Sequence, residues 1–333
     1  METVSIGEVI RRRREEWGAS QELVCEGLCT SMTLSRFENG QQTPSRDCVV
    51  TMLQRLGLPD DSCYAQLTKE ELRKITLRKE ILSCSSMYAR TTGEERELFR
   101  ADAQKKIKEL ECIAKKDDVV SRQFLAARNA DWIEEDGGHS RNEIMDMRLS
   151  AIRMTVPKFD LDEINRCLYS EDEIGLIIDI SVQYARGGQR RKAIDILSQL
   201  IKMLQKRYPN HMRLSLAAYN YAIYLCLERR YEEALEIVEL GRISSIKHKH
   251  YLSLPGFLHI EAECRYFMGE AEASEKLYRS AYHIYKAIDD LGNLKILVRE
   301  AEERLRSCIH KRLSKVWKWE ILTIASAEER EIS

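Results

Sequence analysis

The chain has 333 residues, enough for two domains. Its 15 Gly and 5 Pro are about half the usual share, too few turn residues for a β-sandwich, a barrel or a long flexible linker. At 32% charged and 44% hydrophobic residues the composition is that of a soluble all-α chain, not a disordered one, and a net charge of −1 marks no obvious polyanion binder.

The first 58 residues are closely punctuated. A helix is predicted over 6–17, ended by Gly18. Ser20 caps a second over 21–28, because a Ser side chain accepts an otherwise orphaned N–H. Cys29-Thr30 reads as a tight turn, and a third helix over 31–38 stops at Asn39-Gly40. Thr43-Pro44-Ser45 opens a fourth over 46–56, closed by Gly57 and Pro59. Two short helices joined by a two- or three-residue turn form a helix-turn-helix, whose second helix lies in the major groove with its N-terminal residues at base edges. Ile10, Val24, Leu28, Leu34, Phe37, Val50 and Leu53 have the spacing of a small core, which leaves Gln21, Ser31, Met32, Thr33 and Arg36 outside.

This stretch resembles the Xre/Cro-like helix-turn-helix family through Ser20-Gln21-Glu22, Leu34-Ser35-Arg36-Phe37-Glu38-Asn39-Gly40 and Thr43-Pro44-Ser45, in order and at the right spacing. The resemblance implies a DNA-binding set of Gln21, Thr30, Ser31, Met32, Thr33, Arg36 and Asn39. In it Gln21 and Asn39 touch phosphates, while Ser31, Met32 and Arg36 face bases. The sequence departs from the family at Cys29, where Gly is usual, at Arg13, where an apolar residue is usual, and in a turn one residue short. Two plainer roles stay open: Gln21 as a first-turn residue, and Arg36 as a salt-bridge partner of Glu38. Of the run Arg11 to Arg14 at most two side chains can share a face, since consecutive residues point around the helix axis.

Beyond residue 67 the punctuation thins. Thr68-x-x-Glu71 and Thr92-x-x-Glu95 fit the capping box, so helices are predicted to start near Lys69 and Gly93. The segments 184–204, 225–245 and 265–285 align as repeats. Small residues recur at Ala193, Ala234 and Ser274, and upstream at Ser181, Ala222 and Ala262. Turn positions fall at Gly188, Arg229 and Gly269. Small residues on both helices of a hairpin let them approach closely, which is the tetratricopeptide pattern in degenerate form. A weaker unit is placed at 123–156, with its turn at Gly137-Gly138, and helices at 93–115 and 292–310 cap the ends. The tail over 315–325 carries exposed-looking aromatics. Stacked hairpins of this type present a concave face lined by the first helix of each. Its expected peptide-binding residues are Arg128, Asn129, Asp179, Arg186, Tyr219, Asn220, Ile223, Glu263 and Tyr266, with Trp132, Val182, Leu227 and His259 in equivalent places. Asn220 is the focus, because an amide both donates to and accepts from a peptide backbone. An internal hydrogen bond is its alternative role, as ordinary solvation is for the others.

Catalysis finds no foothold: no phosphate loop, G-x-S-x-G or H-E-x-x-H is present. The seven histidines do not converge, His248 and His250 read as a solvated loop pair, and no cofactor or metal site is expected. The ten cysteines form no C-x-x-C pair and read as reduced thiols. Without a signal peptide or spanning segment, the expected location is the cytoplasm.

The reading is therefore an all-α chain: an N-terminal four- to five-helix helix-turn-helix domain (1–66), a connecting helix (67–92), a degenerate tetratricopeptide-like α-solenoid (93–310) and a C-terminal capping tail (311–333). The combination, with the phrase LSAIRMTVPKFDLDEIN before the first clear repeat, resembles the Rgg/PlcR/PrgX-type regulators of Gram-positive bacteria. That resemblance implies a homodimer that binds a palindromic double-stranded operator and senses a short signalling peptide. Two alternatives are a DNA-binding regulator whose repeats hold a protein partner, and a repeat scaffold with a vestigial head. Charge divides unexpectedly: residues 1–66 hold seven Arg, no Lys and ten Asp or Glu, net −3. The head must segregate its charge, with Arg11, Arg14, Arg36 and Arg46 as candidates for the DNA side.

Overall fold

The computed structural model describes residues 5–59, 68–208 and 211–312, with side chains to residue 304. Every regular element among them is helical. The head holds α1 (Ile6–Glu16), α2 (Gln21–Cys25), α3 (Ser31–Glu38) and α4 (Arg46–Arg55). Each starts at a hydroxyl: Ser5, Ser20, Thr30 and Ser45 accept the N–H three residues on, satisfying a donor that the helix cannot. Ile10, Val24, Leu34, Phe37, Val49, Met52, Leu53 and Leu56 form the core. Val50 and Leu28, expected there, are only partly buried, because the apolar stripe of α4 follows 49, 52, 53 and 56.

The second helix ends three residues before the predicted boundary. Gly27 adopts φ +70°, and a Cβ there would lie 2.2 Å from the carbonyl oxygen of Thr155. A left-handed glycine breaks the helix where another backbone presses on it. The connection to α3 therefore spans 26–30, longer than the predicted turn.

The body is a series of hairpins: α5 (Lys69–Arg90) with α6 (Gly93–Ile113), α7 (Val119–Asp136) with α8 (Arg141–Thr155), α9 (Glu171–Arg186) with α10 (Arg190–Arg207), α11 (Leu214–Leu227) with α12 (Tyr231–Lys247), and α13 (Leu254–Phe267) with α14 (Ala271–Ala287). The capping box at Thr68 and Glu71 forms. Thr92 starts its helix without a side-chain cap bond, whereas Ser140–Glu143 and Ser170–Glu173 form boxes that the reading passed over. All six small residues of the repeat alignment are fully buried, and the Ser274 hydroxyl donates across its hairpin to the Ala262 carbonyl at 2.8 Å. The three turn positions share one conformation: Gly188 (φ +78°), Arg229 (φ +61°) and Gly269 (φ +86°). The last helix, α15 (Leu291–Arg312), packs on α14 and α13 and also returns to α5, where Gly292 lies beside the Ala89 carbonyl. The predicted aromatic tail lies outside the described residues. No helix among these residues is long and apolar enough to cross a membrane.

Head and body interlock through charge. Arg55 on α4 and Glu173 on α9 are 1% and 0% exposed, and their closest contact is 2.7 Å. Arg55 also donates to the carbonyls of Val24, Glu26 and Thr155. Glu173 accepts from the Thr155 hydroxyl and from the Ser170 N–H, both at 2.6 Å. The Tyr208 hydroxyl donates to the Arg55 carbonyl, and Trp17 meets Tyr208 edge-on at 5.6 Å. Outside this knot, Arg78 pairs with Asp172, and Arg46 with Glu71 at 3.1 Å.

Arg55→Ala leaves Glu173 buried without its partner. It is expected to lower the unfolding free energy by about 3–5 kcal/mol, read by urea denaturation. The adjoining cleft gives a second expectation. His211 sits there edge-on to Tyr208, and burial, helped by the charges of Arg213 and His248, lowers its pKa to about 4. The folded imidazole stays neutral where the unfolded one, with its ordinary value near 6.5, takes a proton. The stability from this site is complete above about pH 6.5 and declines toward pH 4. Unfolding measured between about pH 7 and pH 5 should show this slope, and His211→Asn should flatten it.

Candidate DNA-reading helix and concave groove

The helix α3 is set by its ends. Thr30 caps it, with its hydroxyl 3.1 Å from the Thr33 N–H and 2.9 Å from the Thr33 hydroxyl. Leu34 and Phe37 bury one face, so the opposite face carries Met32, 62% exposed, and exposed Arg36. Ser31 and Thr33 are half-buried beside them. Gln21 is half-buried and donates to the Glu38 carboxylate at 2.7 Å; Asn39 is exposed and donates to the Ser35 carbonyl at 2.9 Å.

The head's arginines are mostly committed. Arg11 pairs with Glu15, and Arg12 and Arg13 with Glu16. Arg14 grips buried Glu38 at 2.7 Å, a hydrogen bond that raises the guanidinium's pKa against the effect of burial. Arg14 and Arg46, expected on the DNA side, thus hold the fold together instead. Arg36 makes no ion pair among the described residues and is the head's uncommitted cation. Its expected alternative partner, Glu38, is buried and taken by Arg14 and Gln21.

The first helices of the hairpins line two adjoining cavities of about 290 and 230 Å³ that share Arg128 and Asp179. Tyr88, Trp132, Val182 and Arg186 line the first; Leu82, Phe124, Arg213 and Leu216 line the second. An ion network forms the floor. Arg128 and Arg148 each reach Asp131 at 2.8 Å and Asp179 at 3.8 and 3.6 Å, and Arg148 reaches Glu134 at 2.7 Å. Arg186 and Gln183 also bind Glu134. Burial, then the charge of Asp131, pushes the Asp179 carboxyl up despite the three arginines near it. The Trp132 indole N–H and the Nε groups of Arg128 and Arg148 are buried without a hydrogen-bond acceptor.

The structure brings Arg128, Asp179 and Arg186 together but not the rest of the expected set. Asn129 turns away and donates to Glu111 on α6 at 3.0 Å. Asn220 donates one of its two amide hydrogens to the Leu216 carbonyl of its own helix at 3.0 Å. Tyr219 packs edge-on to Phe257 at 5.7 Å, with burial raising its phenol pKa, and Ile223 packs on the main core. Glu263 accepts from Tyr278 and Arg304, and Tyr266 packs on the C-terminal core. None of these five α11 and α13 residues lines either cavity. Arg148, the residue passed over, carries a signal of its own: it interrupts the buried stripe Ile144, Ala151, Ile152 and Thr155 of α8.

Residues 5–62 match the helix-turn-helix domain family. No curated protein sequence matches the chain. Among solved structures, the fold is similar to PlcR of Bacillus thuringiensis in complex with the peptide PapR7 and DNA, at 18% identity over 89% of this chain and 99% of that one, TM-score 0.54. It is similar also to PlcR in its apo form, at 20% identity over 88% and 98%, TM-score 0.53. The apo competence regulator ComR of Streptococcus vestibularis matches at 14% identity over 90% and 97%, TM-score 0.45. The chain thus carries a helix-turn-helix domain ahead of a PlcR-like helical body.

Arg36→Ala should abolish sequence-specific binding in a gel-shift assay without lowering the melting temperature, since the side chain is exposed and unpaired. With so few uncommitted cations, the slope of log affinity against log salt should be shallow, about −1 to −2 for each head.

Proposed function

We propose that the chain is a sequence-specific DNA-binding transcriptional regulator, working in the cytoplasm as a homodimer and controlled by a short peptide bound in the concave groove. One observation carries this reading: an exposed helix α3 and an open groove with an ion-paired floor belong to a single interlocked body. In the regulator, Ser31, Met32 and Arg36 meet base edges, while Gln21, Thr30, Thr33 and Asn39 lie along the phosphates. Arg128, Asp179, Arg186 and Trp132 meet the peptide. The similar PlcR structure, which holds a peptide and DNA, supports pairing these two ligands. A peptide acts only through a difference in affinity between two arrangements of head and body, and the groove's second cavity includes Asp172, the partner of Arg78 beside the interlock.

Genome-wide mapping of bound DNA, with and without conditioned medium, tests the reading. The bound set should shift with medium, and Arg128→Ala should remove the shift while sparing basal binding. An unchanged set argues against peptide control; no specific sites at all argues against the regulator itself.

A further inference from the structure

One constellation serves neither the reading helix nor the groove cavities. His259 and Glu263, one turn apart on α13, face Glu300 on α15, and one ligand atom from each lies within 4.8 Å of the others. The three side chains are 13%, 13% and 29% exposed. His259 Nε2 is 2.8 Å from Glu300 Oε2, so the imidazole faces the carboxylate directly.

Glu263 is already oriented. The Tyr278 hydroxyl donates to its Oε1 and Arg304 Nε to its Oε2, at 3.3 Å for the latter. Carboxylate oxygens offer about four lone-pair sites in all, so each oxygen retains one. Outer partners of this kind are what fix ligating carboxylates in metal sites. Of the two carboxylates, Glu263 contacts the Arg304 guanidinium and Glu300 the His259 imidazole, so two negative charges face one guanidinium and leave room for a cation.

We propose that His259, Glu263 and Glu300 bind a divalent transition-metal ion of the zinc class. The donor set decides the class: an imidazole nitrogen suits zinc, copper or nickel, whereas calcium and magnesium prefer all-oxygen cages. Ligands about 2.1 Å from a tetrahedral ion are about 3.4 Å apart, beyond the 2.8 Å His259–Glu300 contact and inside the 4.8 Å that encloses all three ligand atoms, so side-chain rotations close the site. Three protein ligands leave a fourth position for water. The ion ties α13 to α15, the helix that reaches back to α5.

Full-length chain is stripped with chelator, kept reduced with a phosphine and titrated with Zn²⁺ and Co²⁺. Reduction matters because the ten cysteines are competing ligands. The expected result is equimolar binding with a raised melting temperature, visible cobalt bands and no thiolate-to-cobalt charge-transfer band. His259→Ala and Glu300→Gln should each weaken binding by about tenfold or more with unchanged circular dichroism. The near-isosteric Glu300→Gln keeps the test usable if His259→Ala fails to fold. No binding, a thiolate band, or affinity retained in the folded variants overturns the proposal.

Discussion

The buried pair of Arg55 and Glu173 is the constraint on which the arrangement of head and body depends. Two charges removed from water are costly unless every polar atom finds a partner. Here the guanidinium meets a carboxylate and three carbonyls, and the carboxylate also takes a hydroxyl and a backbone N–H. That saturation demands that the ends of α2, α4 and α8 and the start of α9 all arrive at one point. A greasy contact tolerates sliding; this knot does not. The head consequently has one seat, and the close approach it requires is visible at Gly27, where a Cβ would meet the Thr155 carbonyl.

The same logic of committed charge governs the two candidate surfaces. Along α1 the arginines are offset by Glu15 and Glu16, and Arg14 is spent on Glu38. The acidic head presents little free positive charge, so orientation and shape must contribute more to DNA recognition than bulk attraction. In the groove, Arg128, Arg148 and Arg186 are balanced by Asp131, Glu134 and Asp179. Such a floor favours a ligand that brings dipoles and a few well-placed oxygens over one that brings net charge.

What could be read beforehand followed from local rules. The hairpins were legible because buried small residues and left-handed turns recur along the chain, and α3 because Thr30 and Asn39-Gly40 mark its ends. The misreadings have distant causes. The end of α2 depends on a carbonyl at Thr155, far along the chain, and no local signal announces it. Arg55 could have been suspected as a charge set among Met52, Leu53 and Leu56, and Glu173 from the capping box it shares with Ser170. In the groove, adjacent helical residues diverge by about 100°, so Arg128 could reach the cavity and Asn129 could not. The two residues sit on different faces of α7 within an intact hairpin pattern.

The return of α15 to α5 changes the mechanics of the body. An open strip of stacked hairpins can alter its curvature at any one joint and leave the others undisturbed. A strip whose ends touch has a boundary condition: bending at one joint must be answered at another, or the seam must part. Arg229, a bulky side chain held in a conformation that its counterparts give to glycine, closes the hairpin of α11 and α12. Any change of curvature in such a body is therefore tied to the seam between α15 and α5.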